Sequence, residues 1–188
     1  MEQIKQYFES EFGISTSDWE IFSSKLSRHE FPKKSKLLRL REVENHLSFI
    51  EKGIVRLYFP LQEGDLTFGF VFNGSFVSAY DSFLAQKPSD YVVETVTDTV
   101  LWRLGHKELQ EVYSSSSIGN LIGRKASEEL FLKKSKRELS LLRDSAEQRY
   151  LNLFEERPEL LREIPLKYIA SYIGVTPQAL SRIRRRIY

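Results

Sequence analysis

Between Phe31 and Leu104 the chain breaks into short runs of β-branched and aromatic residues, and nothing else in it limits the fold as much. Leu47–Ile50, Ile54–Phe59, Leu66–Phe72, Tyr91–Val96 and Thr99–Leu104 read as strands. Between them stand turn-formers: Glu51 to Gly53, Gln62 to Gly64, Asn73 with Gly74, and Thr97 with Asp98. Strands at this regular spacing predict a sandwich or a jelly-roll barrel. Ahead of them, Ile4, Phe8 and Phe12 recur at helical spacing, and Ser15, Thr16, Ser17 and Asp18 offer N-caps to a second helix carrying Trp19, Ile21, Phe22 and Leu26. Both helices are expected to pack on the strands. No internal repeat is long enough for a solenoid.

Gly105 closes the strand region, and His106–Tyr113 has the polar and apolar mix of a short helix. The serines from Ser114 to Ser117 then read as a linker or N-cap. From Ile118 to about Leu142 there is no proline and only two glycines, Gly119 and Gly123, in a background of Glu, Lys, Leu and Ala. This predicts a single helix of roughly 25 residues, about 37 Å long. Ile118, Leu121, Ile122, Ala126, Leu130 and Leu132 give it an apolar side, while Lys125 and Glu129 interrupt a strict heptad. A helix of that length exceeds what a small domain needs to cover itself, so a dimer seam and packing within the chain both stay open.

At 188 residues and 41% hydrophobic content, one sizeable core and a smaller second unit are expected. No run of 18 apolar residues is present, and the N-terminus lacks the basic-then-apolar order of a secretory signal, which predicts a cytoplasmic protein without a membrane partner. The chain has no cysteine, which removes disulfides, thiolate metal sites and cysteine nucleophiles. The net charge of +2 reveals little, because 28 basic and 26 acidic residues nearly cancel. Their placement is more informative. Arg182, Arg184, Arg185 and Arg186 fall within the last eight residues with no acid among them. Lys133, Lys134, Lys136 and Arg137 form a second cluster that reads as a solvated helix face.

The segment from Ile164 to Tyr188 holds the most specific pattern. Pro165 suits the first turn of a helix, where a missing N–H forfeits no hydrogen bond. Leu166, Ile169, Ala170 and Ile173 fall on one face, and Ala170 is small where a second helix must cross closely. Gly174 supplies the positive φ of a tight turn, with Val175 plugging the corner. Thr176 caps a second helix, Pro177 takes its first position, and Leu180 and Ile183 point to the core. Gln178, Ser181, Arg182 and Arg185 are left on its outer side. In a helix-turn-helix that second helix enters the major groove of DNA. Glutamine pairs bidentately with adenine and arginine with guanine, whereas further polar and basic groups bind phosphates. Gln178, Ser181 and Arg182 are therefore expected to read bases, and Lys167, Thr176, Arg184, Arg185 and Arg186 to hold the backbone. An ordinary αα-hairpin would account for the glycine, the cap and the apolar spacing. It would not account for four arginines on so short a helix without one acid.

The order of elements, and above all Ile169 to Arg186, resembles the catabolite activator (Crp/Fnr) family of transcription regulators. Leu47 to Tyr58 is similar to that family's early strands around a glycine turn in the cyclic-nucleotide-binding jelly roll. The resemblance implies an α+β chain: a jelly-roll sensor over residues 1–112, a dimerisation helix over 113–142 and a helix-turn-helix domain over 143–188. It also implies a homodimer whose two recognition helices meet successive major grooves. Relatives that bind cyclic nucleotides hold the phosphate and ribose with a Gly-Glu pair and, some ten residues later, an Arg-Ser pair. Here Ser75 follows Gly74, and Ser89 and Asp90 stand where the Arg-Ser pair would be. Asp90 would repel a cyclic phosphate, so cyclic AMP is not the expected ligand unless Lys87 replaces the arginine. Phe76, Tyr80 and Tyr91, with Ser75, Ser89 and Asp90, are the candidate effector pocket, and core packing is the other reading of its aromatic members. The sequence stops just after the second helix, so a β-hairpin wing is not expected.

Enzyme readings find little support. A jelly roll can be a metal-dependent cupin, but the strand region holds only His46, and His29 and His106 lack ligand spacing. There is no glycine-rich phosphate loop, serine elbow or paired-carboxylate motif, and Glu128–Glu129 and Glu155–Glu156 read as solvated faces. No cofactor or metal is expected. The partners expected are double-stranded DNA, a second copy of the chain, RNA polymerase and a small-molecule effector of unspecified chemistry. A sensor acting through protein contacts is the alternative.

Overall fold

The computed structural model describes residues 1–115 and 117–187, with the side chains of Ser117, Ile118 and Ile122 outside the description. The expectations for Ser116, Tyr188 and the side chains of Ile118 and Ile122 thus lie outside the described residues. The chain divides into two compact units, one of Met1–Tyr58 with Phe70–Ser127, the other of Phe59–Gly69 with Glu128–Tyr188.

The first unit opens with helices α1 (Glu2–Phe12) and α2 (Thr16–Ser23). Gly13 closes α1 in the left-handed conformation at φ 61°, and the Ser15 hydroxyl caps α2 by accepting from the Asp18 amide at 3.1 Å. Eight strands follow among the described residues: β1 (Ser27–Phe31), β2 (Lys36–Leu38), β3 (His46–Lys52), β4 (Ile54–Leu61), β5 (Gly64–Phe72), β6 (Phe76–Val77), β7 (Val92–Thr95) and β8 (Thr99–Gly105). Helix α3 (Tyr80–Ala85) lies between β6 and β7, and α4 (His106–Ser115) follows β8. The strands form two sheets, ordered β1-β8-β3-β6 and β2-β7-β4-β5. These are the two layers of a jelly roll. Strands β4 and β5 leave the first unit, and their tip, Phe59–Gly69, belongs to the second.

The β3–β4 turn is a place where only glycine fits. Gly53 has φ 108°, and a Cβ there would lie 2.5 Å from Thr99 Oγ1 and 2.8 Å from the Asp98 carbonyl oxygen. Antiparallel register on β4 and β7 pairs Val55 with Thr95, Arg56 with Glu94 and Leu57 with Val93. Because side chains alternate, Arg56 and Glu94 share one face and Leu57 and Val93 the other. On the polar face Arg56, 2% exposed, donates from Nη2 to Glu94 at 2.9 Å, its guanidinium lies 3.8 Å from the Tyr58 ring centre, and Lys36 bonds both Glu94 and Tyr58. Ile4, Phe8, Trp19 and Phe22 of the two helices bury against Phe49, Phe83, Leu104, Leu109 and Val112.

Helix α5 (Ser117–Arg143) starts in the first unit and ends in the second. It is one unbroken helix, but its apolar side differs from the expected one. Ala126 and Leu132 are exposed, and Phe131, Leu139 and Leu142 join Leu132 as large apolar side chains facing water. The second unit continues with α6 (Ala146–Glu156), α7 (Pro158–Glu163), α8 (Leu166–Ile173) and α9 (Pro177–Ile187). Tyr150, Leu153, Leu160, Ile164, Ile169, Ala170, Ile173, Leu180 and Ile183 are buried in it. No helix among the described residues is long and apolar enough to cross a membrane.

Candidate nucleic-acid interface

Helices α8 and α9 are joined by three residues whose backbone dictates the corner. Gly174 has φ 76°, and the Val175 amide donates back to the Ala170 carbonyl at 2.9 Å. This is the left-handed C-cap that glycine favours. Thr176 then caps α9, its Oγ1 accepting from the Ala179 amide at 3.2 Å. Pro165 sits one place earlier than expected, as the extended N-cap residue of α8, its carbonyl accepting from Tyr168 at 2.8 Å.

Leu180 and Ile183 pin the inner face of α9 to the core. Gln178, Ser181, Arg182 and Arg185 are exposed, and their spacing of i, i+3, i+4 and i+7 puts them on one stripe beside the exposed Thr176. Ser181 also donates to the Pro177 carbonyl at 3.0 Å. Lys167 is exposed on the first turn of α8, with its Nζ 4.9 Å from the Tyr168 ring centre. The other two arginines are placed differently. Arg184 is half-buried, and its Nε has no acceptor among the described residues. Arg186 pairs with Glu147 of α6 at 3.0 Å. An acid of α6 thus neutralises one charge of the terminal run, which the local sequence around Arg186 does not reveal.

Two further arginines belong to the corner although no local pattern marks them. Arg137 of α5 donates from Nη2 to the Tyr172 carbonyl and lies 3.9 Å from the Tyr172 ring centre. Arg149 of α6 donates from Nε to the Ile173 carbonyl at 2.9 Å and from Nη1 to the Asp144 carbonyl at 2.6 Å. Arg137 is not the member of a solvated face that its sequence cluster suggests: burial pushes its pKa down, and the Arg149 charge adds to that. Only contacts distant in sequence distinguish it from its lysine neighbours.

The six candidate effector residues have different surroundings. Phe76 is in the aromatic core, 5.1 Å from Phe49 and 5.8 Å from Phe8 between ring centres. Tyr80 stacks on Phe83, with its hydroxyl 3.4 Å from that of Ser127. Ser89 is buried, its hydroxyl donating to the Tyr91 carbonyl at 3.0 Å, and the Tyr91 hydroxyl bonds Asp81. Ser75 is exposed, and Asp90 is an exposed partner of Arg41 at 2.6 Å. Core packing accounts for the aromatic members. Elsewhere in the first unit, buried Glu44 accepts from the His46 amide at 2.9 Å, and burial raises its carboxyl pKa. Burial also lowers the His46 ring to about 4, with Arg103 and His29 contributing. No group of three or more His, Asp or Glu among the described residues could hold a metal.

Residues 28–116 match the family model described as the cyclic nucleotide-binding domain. The structure is similar to a putative transcriptional regulator of the Crp/Fnr family from Eubacterium rectale, with TM-score 0.75 and 16% identity over 96% of this chain and 87% of that one. It is also similar to FixK2 from Bradyrhizobium japonicum, with TM-score 0.70 and 17% identity over 86% and 84%. The c-di-GMP-responsive global regulator CLP of Xanthomonas campestris gives TM-score 0.67 and 16% identity over 92% and 91%. No curated protein matches the chain. A cyclic nucleotide-binding jelly roll followed by helices is thus the fold of this chain, and it is the fold of Crp/Fnr regulators.

Proposed function

We propose that the chain is a sequence-specific DNA-binding regulator that works as a homodimer and does not respond to cyclic AMP. The observation that carries the reading is the stripe on α9: Gln178, Ser181, Arg182 and Arg185 exposed together on a helix with no acidic residue, behind a glycine corner and a threonine cap. Gln178 and Arg182 have the donor and acceptor patterns that match adenine and guanine edges in the major groove. Arg185 on the stripe, with the exposed Thr176 and Lys167, would hold phosphates, and Arg186 would join them only by giving up its pair with Glu147. Phe131, Leu132, Leu139 and Leu142 supply the apolar surface for pairing α5 with its copy. Against cyclic AMP stand the buried Ser89, whose hydroxyl is already bonded, and Asp90, a carboxylate where a phosphate would need a cation.

Selection of bound duplexes from a random pool tests this directly. A two-fold-symmetric consensus is expected, with affinity falling steeply as salt rises and unchanged by cyclic AMP. Failure to retain any duplex at low ionic strength would sink the reading. Arg182→Ala is expected to cost about 1 to 3 kcal/mol and to relax preference at one base position, whereas an equal loss on all sequences would mean a phosphate contact.

A further inference from the structure

A helix ends with four carbonyls that its own backbone leaves without partners, and in a buried corner each needs a donor. For α8 the four are those of Ala170, Ser171, Tyr172 and Ile173. The left-handed turn supplies two donors: the Val175 amide to Ala170 at 2.9 Å and the Gly174 amide to Ser171 at 3.2 Å. The last two carbonyls, those of Tyr172 and Ile173, are taken by Arg137 and Arg149. These cations come from different helices, α5 and α6, and each meets the negative end of the α8 dipole. Arg149 is also fixed at its other side by the Asp144 carbonyl, and Arg137 by the Tyr172 ring beneath it. Thr176, which starts α9, lies three residues beyond the Ile173 carbonyl.

We infer that Arg137 and Arg149 are positioning residues that set the direction of α9 by clamping the end of α8, and that neither contacts DNA. The consequence for DNA rests on the function proposed above; the clamp itself does not. Both guanidiniums are committed to carbonyls inside the unit, so a duplex would feel them only through where α9 points. Arg137 belongs to the same helix as the exposed leucines, so the surface that would pair two copies and the corner that aims α9 are built on one rod.

The test compares the full-length protein with Arg137→Met and Arg149→Met, which keep the apolar stem and remove the donors. Hydrogen exchange is read first, without DNA. Amides from Gly174 through α9 should exchange roughly tenfold faster in each variant, while those of α7 hold. Arg137→Lys, which keeps a cation and one donor over the tyrosine ring, should recover most of the protection. Unchanged exchange at the corner overturns the inference whatever the protein does with DNA. Should a methionine variant fail to fold, the lysine variant carries the same comparison at smaller amplitude.

Duplex titrations across salt come second. Each variant should bind roughly tenfold more weakly with reduced discrimination between sequences, but with the wild-type salt slope, because no phosphate contact has been removed. Arg185→Met, by contrast, should lower that slope by about one. A slope lowered by one in Arg137→Met, or a loss confined to the active fraction with Kd and discrimination intact, overturns the positioning role. If wild-type protein binds no duplex while the corner loosens in the variants, the DNA reading fails and the clamp stands.

Discussion

Two glycines with positive φ separate backbone strain from collision. Gly174, at φ 76°, has room for a methyl group, since the atom nearest to a Cβ there would be Arg149 Nη2 at 3.7 Å. Gly174→Ala is therefore expected to cost only the left-handed penalty, about 1 kcal/mol. Gly53, at φ 108°, faces backbone atoms of Asp98 and Thr99 at 2.8 and 2.9 Å, which cannot swing aside. Gly53→Ala should cost about 3 kcal/mol, and denaturant unfolding of the two variants should show that ranking; equal losses would mean the β3–β4 turn yields more easily than its contacts imply. Half-buried His46 and buried Glu44 set a pH response of opposite signs. His46, held near 4 against an ordinary 6.5, leaves the folded state without a proton that the unfolded chain takes up. Its contribution is present above pH 6.5 and is lost as pH falls toward 4. Glu44, whose carboxyl is raised by burial, contributes below the ordinary carboxylate range and loses that as pH rises through its raised value. His46→Gln should thus flatten the decline of stability between pH 6.5 and 4, leaving the opposing Glu44 trend visible. Parallel stability curves for the two proteins would refute the assignment.

At the scale of elements, the hairpin formed by β4 and β5 shows what one hydroxyl can hold. Within the second unit, Ser171 of α8 donates to the Asp65 carbonyl at 2.5 Å and accepts from the Thr67 amide at 2.7 Å, with the Thr67 hydroxyl 3.0 Å away. Ser171→Ala leaves an amide and a carbonyl without that partner and should cost about 1 to 2 kcal/mol, seen as faster amide exchange across Asp65–Gly69. Exchange unchanged there would mean water replaces the hydroxyl at no cost. This contact joins residues more than 100 positions apart, and no local pattern announces it. The same division between local and distant signals explains which elements can be read in advance. Alternating strands, the serine cap of α2 and the Gly174–Thr176 corner are legible because each depends on neighbours in sequence. Strand β1 is not, since Ser27–Phe31 has four exposed residues and one half-buried at a sheet edge, with no buried face to impose alternation. Two-residue β6 and six-residue α3, which lacks a side-chain cap, are too short for periodicity to show. In the candidate site the α9 stripe follows from helical spacing, whereas Arg137, Arg149 and the Glu147–Arg186 pair depend on the packing of separate helices.

For the whole molecule, the exposed apolar surface of α5 makes the sharpest demand. Leu132 is 65% exposed, Leu142 79%, Leu139 59% and Phe131 70%, on the part of α5 that lies in the second unit. Leu132 and Leu139 are one heptad apart and Leu142 three residues further on, the spacing of a seam that a second helix would cover. Burying a leucine contributes about 1.5 to 3 kcal/mol, so Leu132→Asp with Leu139→Asp removes about 3 to 6 kcal/mol from each copy, twice that from a dimer, before the new charges are counted. Self-association should weaken by a factor on the order of 100 or more, turning a dimer into a monomer at micromolar concentration in sedimentation equilibrium. Neither side chain is buried within its own chain, so the melting of the monomer should hardly change. If the chain binds DNA as proposed, binding to a symmetric duplex should fall much further than binding to a single half-site, because a monomer would lose the linkage between two copies of α9. A double variant that stays dimeric would place the interface elsewhere, and one that becomes monomeric yet binds the symmetric duplex as before would remove pairing from the mechanism of DNA recognition.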